Sequence, residues 1–237
     1  MTKVINNRKE FNTIIDQAKI NDELIDNISI QVADLSLCDL SYITADRLFA
    51  ENINFKGSIF TGISLRDCSF LSCDFISANF ENVDLADCVY SECIFMKANM
   101  NKMEFKISTA IEANFTEADL SSADLSGSTL LRSNLRSSIL INVTAVEVNF
   151  DEVNMDSATL TESNFQGSSF IKAKLNNVNA QKTNFTEADC RDCDFSNADL
   201  RGANFTNANL QNTIWKDAQI EGAIFDKGIL PMIEKHL

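Results

Sequence analysis

The sequence predicts an all-β chain wound into a coil of short extended sides, and three regularities predict it. A large apolar residue recurs at every fifth position, a small residue stands two positions before it, and six of the seven glycines share one slot of the five. Five is not the period of a strand, about two, nor of a helix, about 3.6. The stretch FSNADLRGANFTNANL, Phe195 to Leu210, shows the pattern in its purest form.

From Ile30 to Phe225 all forty positions divisible by five are apolar, where a content of 45% predicts fewer than half. Fifteen of the seventeen phenylalanines fall in that register. The column two residues earlier is small or β-branched, as at Ala33, Cys38, Ser58, Cys68, Ala78, Val83, Ala118, Ser133, Ala198 and Ala208. Between the two stands a polar residue, often Asp or Asn, as at Asp34, Asp39, Asn79, Asp119, Asn184 and Asp199.

On an extended chain residues two apart point the same way, so the small and large residues face inward together and the polar one faces out. The two remaining positions must then turn the chain before the next unit starts inward again. Gly57, Gly62, Gly127, Gly167, Gly202 and Gly222 all occupy the last of these positions, where a turn favours an unusual φ. Short sides and regular turns wind into a helical coil whose neighbouring turns lie ~4.8 Å apart through backbone pairing.

The unit, small–(Asp/Asn)–large–polar–polar, resembles the A-(D/N)-L-x-x repeat of the pentapeptide repeat family, and NADLRGANFTNANL is nearly an ideal copy. The resemblance runs without insertion from Ile30 to the end of the register. It implies a right-handed quadrilateral β-helix with four units per coil, about ten coils and roughly 48 Å long. Residues twenty apart then stack, which places Phe55, Phe75, Phe95, Phe115, Leu135, Met155, Leu175, Phe195 and Trp215 over one another as core. One coil departs: Ala45 and Ala50 hold the large slots while Ile43, Leu48 and Ile53 hold the small ones. Exchanged volume of this kind preserves packing density.

Open coil edges invite aggregation unless covered. Residues 1–27 are read as an N-terminal capping segment. Phe11, Ile14, Ile15 and Ala18 have helical spacing, and Asn7 with Glu10 resembles a capping box, so a helix is expected at about 8–18. The β-helix is expected over 28–227 and a C-terminal cap over 228–237, where Pro231 starts a turn carrying Met232, Ile233 and Leu237. In the family C-terminal elements also mediate pairing, which makes a dimer contact the competing use of this end.

Composition narrows the chemistry. A net charge of −14 opposes direct nucleic-acid binding, which depends on Lys and Arg neutralising phosphates. No secretory leader is visible in MTKVINNRKEFNTIIDQAKIND and no apolar run reaches the length of a membrane span, so a cytoplasmic location without membrane contact is expected. The chain has one His, His236, which leaves no Ser/His/Asp set and no two-His metal spacing. All seven cysteines lie in inward columns. CRDC at 190–193 has the CxxC form of a redox or metal motif, yet the register writes it whenever Cys fills a large slot and the next small one. Carboxylates belong to the outward column, where no pocket perturbs them. The expectation is a protein that is not an enzyme and carries no catalytic, cofactor-binding or metal site.

Function is therefore sought on the surface. One side carries an apolar stripe of Phe49, Leu71, Val89, Ile111, Leu131 and Ile171, interrupted by Ser91 and Asp151, and a stripe on one side marks a partner site. The most acidic side carries Asp46, Asp67, Asp84, Asp87, Glu104, Asp124, Glu147 and Glu187. The leading reading is a rigid acidic scaffold that binds a protein partner in a regulatory role, with homodimerisation through an end or the stripe as a further use. The resemblance supplies the alternative: some pentapeptide repeat proteins act on type II topoisomerases as acidic mimics of duplex DNA, inhibiting gyrase or protecting it from fluoroquinolones. This chain departs from that branch in lacking a loop insertion and in mixing Arg66, Lys106, Arg132, Arg136, Lys172, Lys174 and Arg201 among its acids.

Overall fold

The structure is a computed structural model that describes residues 2–234. Strands β1 (Lys3–Ile5), β3 (Ile28–Ile30), β5 (Phe49–Glu51) and β7 (Ser69–Leu71) pair in that order, all parallel. A second parallel sheet joins β2 (Ile25–Asp26), β4 (Thr44–Asp46) and β6 (Ser64–Arg66). Beyond Leu71 the pairing continues as single parallel bridges between residues twenty apart. Four ladders result. The first runs through Asp34, Asn54 and Asp74 to Ile214, and the second through Asp39, Ile59 and Asn79 to Gln219. The third extends β2, β4 and β6 through Asp84 and Glu104 to Ile224. The fourth extends β3, β5 and β7 through Val89 and Thr109 to Asn209. The fold is thus strand-rich, parallel and β-helical.

Inward columns fill the interior. Phe55, Phe75, Phe95 and Phe115 stack with ring centroids 5.1, 4.9 and 4.9 Å apart, their planes nearly parallel from rung to rung. Rings behind adjacent ladders meet edge to face, as Phe55 does Phe60 at 5.7 Å. Both geometries suit the ring quadrupole. In the coil with exchanged volumes, Ile43, Leu48, Ile53, Ala45 and Ala50 are all buried. The small-slot residues there fill the room the alanines leave.

The turns explain the polar letters of the repeat. From Leu37 to Gly222 the second turn residue is left-handed, whether glycine or not. At the first, the N–H is taken by the Asp or Asn two residues earlier: Asp39 Oδ1 accepts from Ser41 N–H at 2.9 Å, and Asn184 Oδ1 from Thr186 N–H at 3.0 Å. This Asx turn gives the middle residue a structural task. The turn then closes through a bond from the next small residue's N–H to the large residue's carbonyl, as Ser58 to Phe55 at 3.1 Å. At several turns where that bond is missing, a side chain from the following rung supplies both halves. Ser108 Oγ accepts Cys88 N–H at 3.0 Å and donates to Leu85 O at 2.7 Å. Ser168 does the same for Val148 N–H and Ala145 O, at 2.9 and 2.6 Å.

At the N-terminal end α1 (Arg8–Asn21) replaces two sides of a coil. β1 therefore pairs with β3 at an offset of 25 residues (Lys3↔Ile28) instead of the twenty found elsewhere. Asn7 Oδ1 accepts Glu10 N–H at 2.9 Å, and Phe11, Ile15 and Ala18 turn onto the core. The helix runs on past Ala18, where the apolar spacing ends, because the left-handed Asp22 returns its N–H to Ala18 O and stops it. At the other end the short α2 (Leu230–Ile233) buries Ile233 and leaves Met232 exposed. Leu237 and His236 lie outside the described residues.

Candidate interaction surface

The six apolar residues of the stripe fall into two columns of the fourth ladder. Phe49 and Val89 are in the outward middle column, while Leu71, Ile111, Leu131 and Ile171 occupy the first turn slot that follows it. Phe49 is 37% exposed, and the other five are half-buried. Of the two interruptions, Asp151 is engaged locally, accepting Ile171 N–H at 3.0 Å and the Ser169 hydroxyl.

From Phe49 to Thr129 the fourth ladder's middle column, Phe49, Ser69, Val89, Thr109 and Thr129, contains no Asp or Asn. The Asx bond is therefore missing here, and the N–H groups of Ser91, Ile111 and Leu131 find no acceptor among the described residues. Ile107, in the left-handed corner slot between the third and fourth ladders and one side before Ile111, is a residue that the sequence pattern did not single out. It is 69% exposed and left-handed, with φ 55°. A β-branched residue is unfavourable in that region. The available signal was Gly127, twenty residues on, where an added Cβ would lie 3.7 Å from Ile107 Cγ1.

The acidic residues are also split. Asp84, Glu104 and Asp124 occupy consecutive rungs of the third ladder. Asp46 ends β4, and Asp67, Asp87, Glu147 and Glu187 occupy the left-handed slot at the corner. Lys106 stands across the ladder, 3.2 Å from both Glu104 and Asp124. Burial raises the Asp124 carboxyl, but the Ser126 hydroxyl and N–H together with Lys106 outweigh it and hold the pKa below the usual range. Rung-to-rung pairs such as Arg132–Glu112 at 2.8 Å and Lys182–Glu162 at 2.9 Å also neutralise charge locally.

Cysteine is structural in these surroundings. Cys68 Sγ takes Leu48 N–H at 3.4 Å and reaches Ala45 O at 3.5 Å, the bridging position that serine fills elsewhere. Cys190 and Cys193 are fully buried, and burial, followed by the neighbouring Cys190, pushes the Cys193 thiol up. A thiol held protonated is a poor nucleophile. The Tyr90 hydroxyl is buried without a partner among the described residues, above Ala110 in a filled interior. No described helix is long and apolar enough to cross a membrane.

Four parallel ladders around a filled core, with chemistry confined to outward slots, define a β-helical repeat protein. The profile described as pentapeptide repeats (8 copies) matches residues 113–151, 149–186 and 188–226, and a second, pentapeptide repeats (9 copies), matches 55–99. The chain belongs to the pentapeptide repeat family. Among solved structures it is similar to trypsin-treated QnrB1, a plasmid-mediated fluoroquinolone resistance protein. Identity there is 14% over 81% of this chain and 96% of that one, with a TM-score of 0.51. HetL of the cyanobacterium Nostoc sp. strain PCC 7120, involved in heterocyst differentiation regulation, is 20% identical over 90% and 96%, with a TM-score of 0.37. Rfr23 of Cyanothece 51142 is 26% identical over 52% and 84%, with a TM-score of 0.32. No curated protein matches the sequence.

Proposed function

We propose that this protein is a non-catalytic scaffold that binds a protein partner along its fourth ladder, in a regulatory role. In this reading residues 28–227 form a right-handed quadrilateral β-helix of about ten coils, with caps at 1–27 and 228–237. The observation that carries it is Ile107, exposed and left-handed on the rung of Ile111. Folding gains little from an apolar side chain there, and such strain is characteristic of functional surfaces. The three free N–H groups of Ser91, Ile111 and Leu131 add polar anchors beside the apolar ones. The test is affinity capture from the native host with wild type and with Ile107, Ile111 and Leu131→Asp. Loss of the co-eluting protein by a variant that keeps its thermal transition supports the reading, and unchanged capture refutes it.

A second reading rests on the run of Asp84, Glu104 and Asp124 on consecutive rungs. It makes the acidic third ladder a mimic of duplex phosphates, directed at a type II topoisomerase. Lys106, lodged across two of the three carboxylates, weighs against it. Gyrase supercoiling that is unchanged by excess protein, with and without a fluoroquinolone, removes this reading. Homodimerisation through the C-terminal end has its own support: the N–H groups of Leu210, Trp215, Ile220 and Phe225 find no acceptor among the described residues. Solution mass decides it.

A further inference from the structure

We propose a second docking surface, at the α1 end of the β-helix, in which Leu24, Leu37, Tyr42 and Ile59 receive a basic amphipathic segment of a partner protein. It is separate from the fourth ladder and does not depend on the reading given for that ladder.

The first support is conformational. Among the described non-glycine residues with positive φ, three are apolar or aromatic: Leu37, Tyr42 and Ile107. The rest are polar or charged. Left-handed geometry is unfavourable for side chains with a Cβ, and Asn and Asp recover part of the cost through local hydrogen bonds that Leu and Tyr cannot make. Burial does not compensate either, since Leu37 is 78% exposed and Tyr42 75%. The fold gains nothing evident from placing these two side chains in water.

The second support is how they are held. A Cβ on Gly57 would lie 2.9 Å from Leu37 Cδ2, and one on Gly62 would lie 2.6 Å from the Tyr42 ring. Both side chains therefore lie flat over bare backbone of the next rung. Ile59, 43% exposed, stands between those two glycines in the chain and bridges to Asp39, which itself lies between Leu37 and Tyr42. The three side chains make one apolar face across the second ladder and its two corners.

The third support names the occupant. Leu24 and Tyr42 edge a cleft of about 510 Å³ between the end of α1 and the third ladder. Its charged lining is Asp22, Glu23 and Asp46 against Arg66, and none of these three carboxylates makes an ion pair among the described residues. On the other side Lys19 is already committed to Asp39 at 2.9 Å. The cleft thus presents apolar side chains beside an excess of negative charge, three carboxylates against Arg66, with Arg47 also acting on Asp46. On the Leu37 side Arg8 is held on Ser36 O. Complementarity calls for Lys or Arg beside apolar residues, with the open Tyr42 ring as a face for a cation.

A synthetic amphipathic Leu/Lys peptide, with its Leu/Glu counterpart as charge control, tests this by titration into isotopically labelled full-length protein. Amide shifts are expected to cluster at Leu24, Gly57, Ile59 and Gly62, and Leu37→Ser/Tyr42→Ser should weaken binding about tenfold. Serine already occupies this turn slot at Ser72, Ser77 and Ser122, so the double variant keeps a tolerated backbone. Ile107→Ser/Ile111→Ser, at the two ends of one side of the fourth ladder, should leave peptide binding unchanged, which separates this proposal from the scaffold reading. Shifts scattered over Asp84, Asp124 and Glu147, or wild-type affinity in the double variant, overturn it. So does a wild-type dimer that becomes a monomer on Leu37→Ser/Tyr42→Ser, because a second copy then covers the surface.

Discussion

The ring of Tyr42 occupies the space that a Cβ on Gly62 would need, 2.6 Å from where that atom would be placed. The two residues are twenty apart and meet only because one rung lies on the next. Tyr42 and Gly62 are both left-handed, at φ 58° and 67°, so each constrains the other through packing as well as through its own backbone.

Gly62→Ala should therefore destabilise by more than the about 1–2 kcal/mol that left-handed geometry alone costs an L residue. Gly222→Ala, whose nearest neighbour to a new Cβ would be backbone at 3.9 Å, should show the conformational cost alone. Adding Tyr42→Ser to Gly62→Ala should recover the difference. Urea denaturation of these proteins and of Tyr42→Ser alone checks this, and an additive double variant would show that the ring and the glycine do not interact.

The Asx turns carry a second expectation. Asn184 Oδ1 accepts both the N–H and the hydroxyl of Thr186, and its Nδ2 donates to Asn164 at 2.8 Å. Asn184→Ala should cost about 1–3 kcal/mol, since the Thr186 N–H loses its acceptor. Asn184→Asp keeps the turn bond and should cost less. Chemical denaturation read by Trp215 fluorescence measures both.

Acid should loosen the N-terminal end through Asp39. Burial raises its carboxyl, but hydrogen bonds from the Ser41 hydroxyl, Lys19 and Ser41 N–H, with the charge of Lys19, bring it down to about 2. The unfolded value is about 3.9. A folded pKa below the unfolded one gives stability that is fully present above about pH 4 and is lost as pH falls through 2. Thermal transitions recorded between pH 5 and about 2 should fall less steeply in Asp39→Asn than in wild type. Identical slopes would remove Asp39 as a contributor.

Thiol reactivity should follow burial. Cys38, 7% exposed and close to Asn12, is the most accessible of the seven, and the others are at most 1% exposed. Burial raises the Cys38 thiol too, which slows its reaction without preventing it. An aromatic disulfide reagent should titrate Cys38 first and slowly in native protein, and all seven after unfolding. Prompt native reaction of Cys190 or Cys193 would reopen a redox role for that pair.

The register was legible in the sequence because inward packing at every fifth residue leaves a composition signal that no other constraint disturbs. The stack from Phe55 to Phe115 follows from the twenty-residue spacing alone. The role of Asp and Asn in the middle column was not legible, since spacing marks them as outward but does not reveal that their oxygens fold back onto the N–H two residues on. Serine and cysteine of the small column are a similar case. Ser168 reads as merely small until Val148 N–H and Ala145 O are found lying against its hydroxyl. Leu37, Tyr42 and Ile107 left a faint mark, a glycine twenty positions later, which has meaning only once the stack is known.

The sequence by itself determined which residues point inward and where the chain turns, because both follow from neighbours within five positions. Tertiary structure alone decided which outward side chains are free. An outward residue is covered or left open by whatever stands twenty residues before and after it, as Lys106 is drawn onto Asp124 while Tyr42 is left lying over Gly62. That choice depends on contacts between rungs, and contacts between rungs exist only after the coil has closed.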